Sequence, residues 1–278
     1  QTIKLALGLK VVGLLNIQFA IKDGVIFVLE VNPRASRTVP FVAKTIGAPI
    51  AKIASRLMAG EPLSNFTLPP SVAEPGTKLK HIAVKEAVLP FDRFPNTDVL
   101  LGPEMKSTGE TMGLDVDFAH AFAKAELAAG TRIPQEGVAF LSVKDADKDA
   151  LPGIAKELIR LGFSLIATRG TQAFLAGQGI ECATVNKVRQ GRPHIVDLLK
   201  DKKIQLVINT TEGAQSIADS FSIRRTSLAQ KITYCTTMEA THALLKGIDA
   251  LKNGGGLSVR PLQSYFPKVA KDSLQVSA

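Results

Sequence analysis

The sequence contains no tryptophan, and aromatic residues make up only 5% of its 278 positions. That leaves too few aromatic faces for a stacking platform that holds single-stranded nucleic acid. The two cysteines, Cys182 and Cys235, lie far apart in apolar runs and form neither a Cys-x-x-Cys pair nor a Cys/His metal spacing. They read as buried free thiols in a reducing compartment. The four histidines, His81, His120, His194 and His242, also lack ligand spacing. His194, in "GRPHIVD", reads as a structural cap at a helix start. No apolar run reaches the about 18 residues that cross a bilayer, and no secretory leader is visible. The expected setting is cytoplasmic, with no membrane and no nucleic acid as partner. An initiating Met is missing too. Gln1 opens directly onto the periodic apolar stretch "TIKLALGLKVVGLLNIQFAI", which reads as a piece of a larger chain cut inside a domain.

The length suits about two domains, and 45% hydrophobic residues suffice for sizeable cores. The formal charge of +9 is uneven: from Gly137 onward 19 Lys and Arg stand against 12 Asp and Glu. A basic half suits an anionic ligand such as a nucleotide or phosphate, or is simply a solvated surface.

Residues 1–60 predict a helix, two strands joined at Lys22-Asp23-Gly24, and one or two helices broken at Gly47-Ala48-Pro49. A Pro-rich loop follows at 61–80. "HIAVKEAVLPF" reads as a strand, the stretch through Gly113 as a Pro/Gly-rich loop, and "VDFAHAFAKAELAAG" as a helix. "TRIPQEG" reads as a linker. From Gly137 strands and helices alternate: "GVAFLSV", "SLIAT", "IECATVN", "IQLVINTT" and "ITYCTT" are strands, each followed by a helix, the fourth by one at 214–230. Alternation of this kind predicts a five-stranded parallel, doubly wound α/β sheet. Its ligands bind outside the carboxyl ends of the strands. The stretch around "NGGG" and the last 20 residues read as a loose tail.

Two constellations carry chemistry. In "VLEVNPRASR" (residues 28–37), Glu30 and Asn32 share one face of an apolar, buried-looking strand. A three-residue loop, Asp23-Gly24-Val25, puts Gln18 of the neighbouring strand opposite Glu30; a two-residue loop would split the polar groups between faces. One carboxylate and two amide carbonyls suit a hard cation such as Mg²⁺, which completes its shell with water and phosphate oxygens. Arg34 and Arg37 follow, where guanidinium groups can meet those phosphates. Metal, clamp and rigid platform are the parts of a phosphoryl-transfer site. In the C-terminal half, Thr168 and Thr171 of "ATRGT" flank a helix start, and Asn209, Thr210 and Thr211 of "NTT" end the fourth strand. With Lys148 and Lys187 at the same edge they form a phosphate pocket. Arg224 and Arg225, in "FSIRRTSLAQ", either reach a phosphate or cover the surface.

"LEVNPRASRTVPFVAKTIGAPIAKIASRLMAGE" and "VKEAVLPFDRFPNTDVLLGPEMKSTGETMG" resemble the second ATP-grasp unit of the carbamoyl-phosphate synthase large subunit. The resemblance runs over nearly the whole chain. It implies an α/β architecture in which residues 1–130 are the C-terminal part of a truncated, carbamate-phosphorylating ATP-grasp unit. Residues 131–136 would be a linker, and residues 137–278 a methylglyoxal-synthase-like allosteric domain. It implies ATP with Mg²⁺ or Mn²⁺, metal ligands Gln18, Glu30 and Asn32, and Arg34 and Arg37 beside the transferred phosphate. In the allosteric domain it implies a nucleotide monophosphate, UMP or IMP, at Lys148, Thr168, Thr171, Lys187, Asn209, Thr210 and Thr211, with Ser220 adding a contact. Ornithine is implied at Glu86, the Leu89 backbone and Thr236. The intact, oligomeric enzyme would work with a small glutaminase subunit and the rest of the large subunit, in arginine and pyrimidine biosynthesis. Two departures bear on this. The ATP-grasp half that covers the phosphates is absent, so the chain alone is expected to be inactive. An arginine often found after "NTT" is replaced in "NTTEGAQ". The alternative reading is a stand-alone nucleotide-sensing module without catalysis. A free-standing methylglyoxal synthase fits less well, because "ATRGT" and "INTTEG" lack its active-site Asp.

Overall fold

The computed structural model describes residues 1–74, 77–93, 99, 101 and 104–266. Its contacts divide the chain into two units: Gln1–His81 with the segment from Val259, and Ile82–Ser258. By this division residues 131–136 fall inside the second unit. Among the described residues no helix is long and apolar enough to cross a membrane.

The first unit holds α1 (Thr2–Gly8), β1 (Asn16–Lys22), β2 (Val25–Asn32), α2 (Thr38–Ile46), α3 (Ile50–Met58) and the short α4 (Pro70–Ala73). Gly47, at φ +70, ends α2 in the left-handed conformation that closes many helices. The β1–β2 hairpin turns on two residues, not three: Lys22 pairs with Val25 across Asp23 and Gly24, at φ 52 and 75. These are the angles an Asp-Gly hairpin turn favours. Carried down the ladder, that pairing would set Gln18 opposite Leu29. A β-bulge between Phe19 and Gln18 takes up Leu29 as an extra residue, and Gln18 pairs with Glu30 after all.

The strand that looks buried in sequence is exposed from Val25 to Glu30. Two strands form a ribbon with two faces. No described layer of the first unit covers it, and Ile21, Val25 and Leu29 remain 72%, 53% and 63% exposed. Part of the segment expected to be a loose tail, residues 259–266, instead packs in the first unit. A 3₁₀ turn at Leu262–Tyr265 sets Tyr265 and Phe266 edge-on to the His81 ring, with centroids 5.6 and 5.3 Å away. His81 Nε2 in turn lies 2.8 Å from the Thr45 carbonyl. Aromatic burial against a fixed ring explains why so polar a stretch docks. Residues 267–278 of that tail lie outside the described residues.

In the second unit β3 (Ile82–Val88) pairs antiparallel with β4 (Gly109–Asp115), and α5 (Phe118–Ala128) packs on both. β4 corrects the expected loop. "GETMGLD" has little strand propensity of its own, and its conformation comes from pairing with β3. Gly113 permits the packing: a Cβ there would fall 1.8 Å from the Ala121 carbonyl oxygen and 2.6 Å from the Ala125 nitrogen of α5. Asp117 caps the helix, its carboxylate accepting from the His120 N–H at 3.0 Å.

The remaining elements are β5 (Gly137–Ser142), α6 (Leu151–Arg160), β6 (Phe163–Thr168), α7 (Arg169–Gly177), β7 (Ala183–Val185) and α8 (Ile195–Lys200). They continue with β8 (Leu206–Asn209), α9 (Gly213–Asp219), α10 (Phe221–Ala229), β9 (Thr233–Cys235) and α11 (Met238–Asn253). The helix expected over 214–230 is thus two, α9 and α10. The five strands are all parallel, in the order β7-β6-β5-β8-β9. Alternation splits each strand between two cores. Ala139, Leu141, Leu206 and Ile208 pack with Leu158 of α6, Leu175 of α7 and Leu244 of α11. Phe140 and Val207 pack with Ile195 and Leu199 of α8 and Ile223 of α10. Burial on both faces explains the near-continuous apolar strands. Helices on both faces make the sheet doubly wound, as its sequence implies.

Replacing Gly113 with Ala should be among the most damaging single changes in the second unit. The new methyl meets backbone that cannot move aside, an overpacking cost of about 3 kcal/mol or more. Denaturant unfolding of the variant beside the parent chain measures it, and an unchanged midpoint would refute the close approach.

Candidate functional site

Because the strands of the large sheet are parallel, their carboxyl ends share one edge. Strand order reverses between β5 and β8, the position where a doubly wound sheet opens a crevice. Ser142 and Asn209 end these two strands and are paired in register. Around them a network of hydroxyls and amides closes. The Thr171 hydroxyl accepts from the Val143 N–H at 3.3 Å, and the Thr210 hydroxyl from the Lys144 N–H at 3.0 Å. The Thr210 N–H donates to the Ser142 carbonyl at 3.1 Å. Thr168 Oγ1 lies 3.3 Å from Thr171 Oγ1 and 3.5 Å from Ser142 Oγ. The Asn209 amide donates to the Tyr234 hydroxyl at 2.8 Å. Thr168, Thr171, Asn209 and Thr210 are all buried, at 4% exposure or less. Burying four polar side chains at one edge is costly unless they bond to one another or to a ligand.

The two lysines stand at the same edge. Lys148 follows β5 in the 3₁₀ segment Asp145–Ala150, its ammonium 2.6 Å from the Asp145 carboxylate and 5.8 Å from the centre of the Phe174 ring. Lys187 is exposed just beyond β7. Thr211 is half-buried next to Thr210, and Ser220 is buried at the α9–α10 junction. Arg224 does not cover the surface: it is 2% exposed and donates to the Ile217 carbonyl. Arg225 is exposed. His194 is a cap, its Nδ1 accepting from the Asp197 N–H while the Asp197 carboxylate accepts from the His194 N–H.

A second group forms on the β3–β4 side of this unit. Glu86 lies in the middle of β3, opposite Thr111 of β4. Burial pushes its carboxyl above the ordinary range, against a smaller opposing pull from the Ala87 amide. Glu126 of α5 is raised by burial, eased by a hydrogen bond from Thr131 and raised further by the charge of Glu86. Burial drives the Cys235 thiol up to about 12, the Thr241 hydrogen bond opposes this, and the charge of Glu126 adds to it. Burial likewise lifts Cys182 to about 11, so neither thiol is poised to react. Glu126 is therefore within electrostatic reach of both Glu86 and Cys235. Thr236, the next residue after Cys235, is exposed, and Leu89 is half-buried just past the end of β3.

In the first unit the bulged register gathers Gln18, Glu30 and Asn32. Gln18 pairs with Glu30 and Asn16 with Asn32, and the Asn32 amide donates to Glu30 Oε1 at 2.9 Å. That bond leaves the Asn32 carbonyl oxygen and the second Glu30 oxygen to accept from elsewhere. Three side-chain oxygens with a single carboxylate fit a hard divalent cation whose other ligands are water or phosphate. Among the described residues no three His, Cys, Asp or Glu side chains gather to hold a metal. Arg34, exposed, donates to the Ala35 carbonyl at 3.1 Å. Arg37 occupies the N-cap of α2, where its guanidinium adds to the helix's own attraction for anions.

Residues 151–236 match the MGS-like domain family, and residues 1–66 match the family described as carbamoyl-phosphate synthase L chain, ATP binding domain. The carbamoyl phosphate synthase large chain of Brucella suis biovar 1 is 57% identical over 267 residues, 96% of this chain and 23% of its own length. That of Myxococcus xanthus is 53% identical over 96% of this chain and 24% of its own length. The chain belongs with the C-terminal part of carbamoyl phosphate synthase large chains. The large chain of Pseudomonas putida, 50% identical over 95% of this chain and 24% of its own, has the same relation to it. The chain spans about a quarter of the length of the curated relatives it matches. Within the family's C-terminal part the structure adds three residues that sequence reasoning missed. Ser142 ends β5 unremarkably, Glu126 sits on an alanine-rich helix, and Tyr234 precedes the noticed "CTT". None carries a motif, and only strand pairing and electrostatic proximity bring them to the site.

Folding raises both Glu86 and Glu126, so it favours their protonated forms. The stability this contributes is complete below the ordinary carboxylate range and is lost as pH rises through the raised values. Glu126→Gln, which keeps a partner for Thr131, should therefore melt above the parent at about pH 8 and lose that advantage by about pH 4. Calorimetric melting across this range tests it, and an advantage independent of pH would contradict the burial of the charge.

Proposed function

We propose that this chain is the effector-binding end of a glutamine-dependent carbamoyl-phosphate synthase large subunit, together with the end of its carbamate-phosphorylating ATP-grasp unit. The reading keeps residues 1–130 as the ATP-grasp part, 131–136 as a linker and 137–278 as the allosteric domain. The observation that carries it is the buried network of Thr168, Thr171, Asn209 and Thr210 at the switch point of a parallel sheet, flanked by Lys148 and Lys187. A nucleotide monophosphate such as UMP or IMP supplies the anion. Its phosphate takes hydrogen bonds from hydroxyls and backbone N–H groups held in place before it arrives, and the lysines neutralise its charge. Thr211 and Ser220 complete the pocket.

Ornithine is the second effector. Glu86 offers a carboxylate to an amine, and Leu89 and Thr236 offer a backbone group and a hydroxyl. A bound ammonium would relieve the unfavourable burial of Glu86 and restore its charge.

At the other end, Gln18, Glu30 and Asn32 would hold Mg²⁺ or Mn²⁺. That ion supplies charge neutralisation for the phosphates of ATP. Arg34 and Arg37 bind the oxygens of the phosphoryl group, and the bulged hairpin orients the three ligands. In the intact enzyme these residues work with the rest of the large subunit and a small glutaminase subunit. That oligomeric, cytoplasmic assembly makes carbamoyl phosphate for arginine and pyrimidine synthesis. Alone, the chain is proposed to bind effectors without turning over ATP.

Calorimetric titration of the chain with UMP, IMP and ornithine, beside an assay of ADP release from ATP, tests the reading. Heat with a nucleotide monophosphate and no ADP is expected. Lys187→Ala should weaken nucleotide binding about tenfold, the loss of one charge-assisted bond, without lowering the melting temperature. No heat with either nucleotide would sink the effector assignment, and substantial ADP release would sink the assignment of inactivity.

A further inference from the structure

The nucleotide and ornithine residues come from separate parts of the sequence, yet two of them end neighbouring strands. Ile208 of β8 pairs with Cys235 of β9, so Asn209 and Thr236 are the next positions outward on adjacent strands. Between these sets lies Tyr234. Its ring packs on the core around Phe140 and Val207, and its hydroxyl accepts from the Asn209 amide at 2.8 Å. Asn209 is 2% exposed, so its amide has little freedom apart from this bond and whatever a ligand offers. On the other side, Cys235 feels the charge of Glu126, and Glu126 that of Glu86. A short β9, Thr233–Cys235, thus carries one residue bonded into the nucleotide set, one that feels the charge of Glu126, and Thr236 immediately after.

We propose that the Tyr234 hydroxyl is a positioning residue that couples the two effector sites, a step that rests on the effector reading above. A nucleotide that engages Asn209 fixes its amide and, through the hydroxyl, fixes the end of β9. Ornithine at Thr236 then meets a strand end already held or already displaced. The coupling is reciprocal by thermodynamic necessity. It is limited to what one part-buried hydrogen bond is worth, a change of about five- to tenfold in either dissociation constant.

The test uses the 278-residue chain and its Tyr234→Phe variant, which removes only the hydroxyl. Dissociation constants for UMP and IMP are measured by calorimetry without ornithine and with saturating ornithine. In the parent, ornithine should shift the nucleotide constant about fivefold. In the variant each ligand should still bind alone, while the shift falls to within about twofold. A second readout does not depend on the variant. The chain has two tyrosines and no tryptophan, so fluorotyrosine labelling gives two ¹⁹F signals, those of Tyr234 and Tyr265. Each effector alone should move the Tyr234 signal. If the parent binds neither ligand, the effector reading falls and the coupling with it. If the parent binds both but shows no shift, or the variant keeps the full shift, or either effector leaves the Tyr234 signal in place, the coupling alone is overturned.

Discussion

Parallel pairing of β5 with both β6 and β8 is the constraint on which the second unit depends. Parallel strands need crossovers, the crossovers cover both faces with helices, and the faces must then be apolar throughout. Polar side chains on the sheet's central strands β5 and β8 are confined to the strand ends. Ser142, Thr168, Asn209 and the residues just beyond β7 and β9 therefore collect along one edge. The hydroxyls there serve two ends at once. Thr171 and Thr210 satisfy the first N–H groups beyond β5, which would otherwise be buried without partners. In doing so they hold a polar pocket in shape before any ligand enters it, which lowers the ordering cost of binding.

The first unit depends on a correction of register. An Asp-Gly turn fixes the hairpin at two residues, and the bulge at Leu29 moves Glu30 back to the face of Gln18. Turn chemistry and ligand placement make conflicting demands on one short ribbon, and one inserted residue reconciles them. Bulges gather where a strand must re-aim a side chain, and the residues re-aimed here are the ones whose oxygen atoms suit a cation.

How much of this could be read from sequence depends on where the information sits. The five βα repeats were legible chiefly because the central strands β5, β6 and β8 are local apolar runs, and so were the "ATRGT" and "NTT" ends. The His194 cap was legible from its position before "IVDLLK". β4 was not, since "GETMGLD" is a strand only because β3 lies beside it and α5 needs Gly113 bare. Leu29 looked like one more core residue, and nothing local marks it as the bulge. Glu126 and Tyr234 matter through neighbours 40 and 25 residues away, Glu86 and Asn209. Exposure of β2 was hidden for a related reason: an apolar strand declares that it wants cover, and its sequence does not say whether cover is present.

The return of the chain to its first unit has a consequence for synthesis. Phe266 and Tyr265 close on His81 and Gly47, although the whole of Ile82–Ser258 lies between them in sequence. As the chain leaves the ribosome, the second unit has all its strands and helices once α11 has emerged and can fold there and then. The aromatic contacts on His81 and Gly47 must wait until residue 266 has been made. A loop that long is costly to close as free coil, and folding of the residues within it shortens the free chain left to close. Those contacts of the first unit therefore form only after every residue of Ile82–Ser258 has been made.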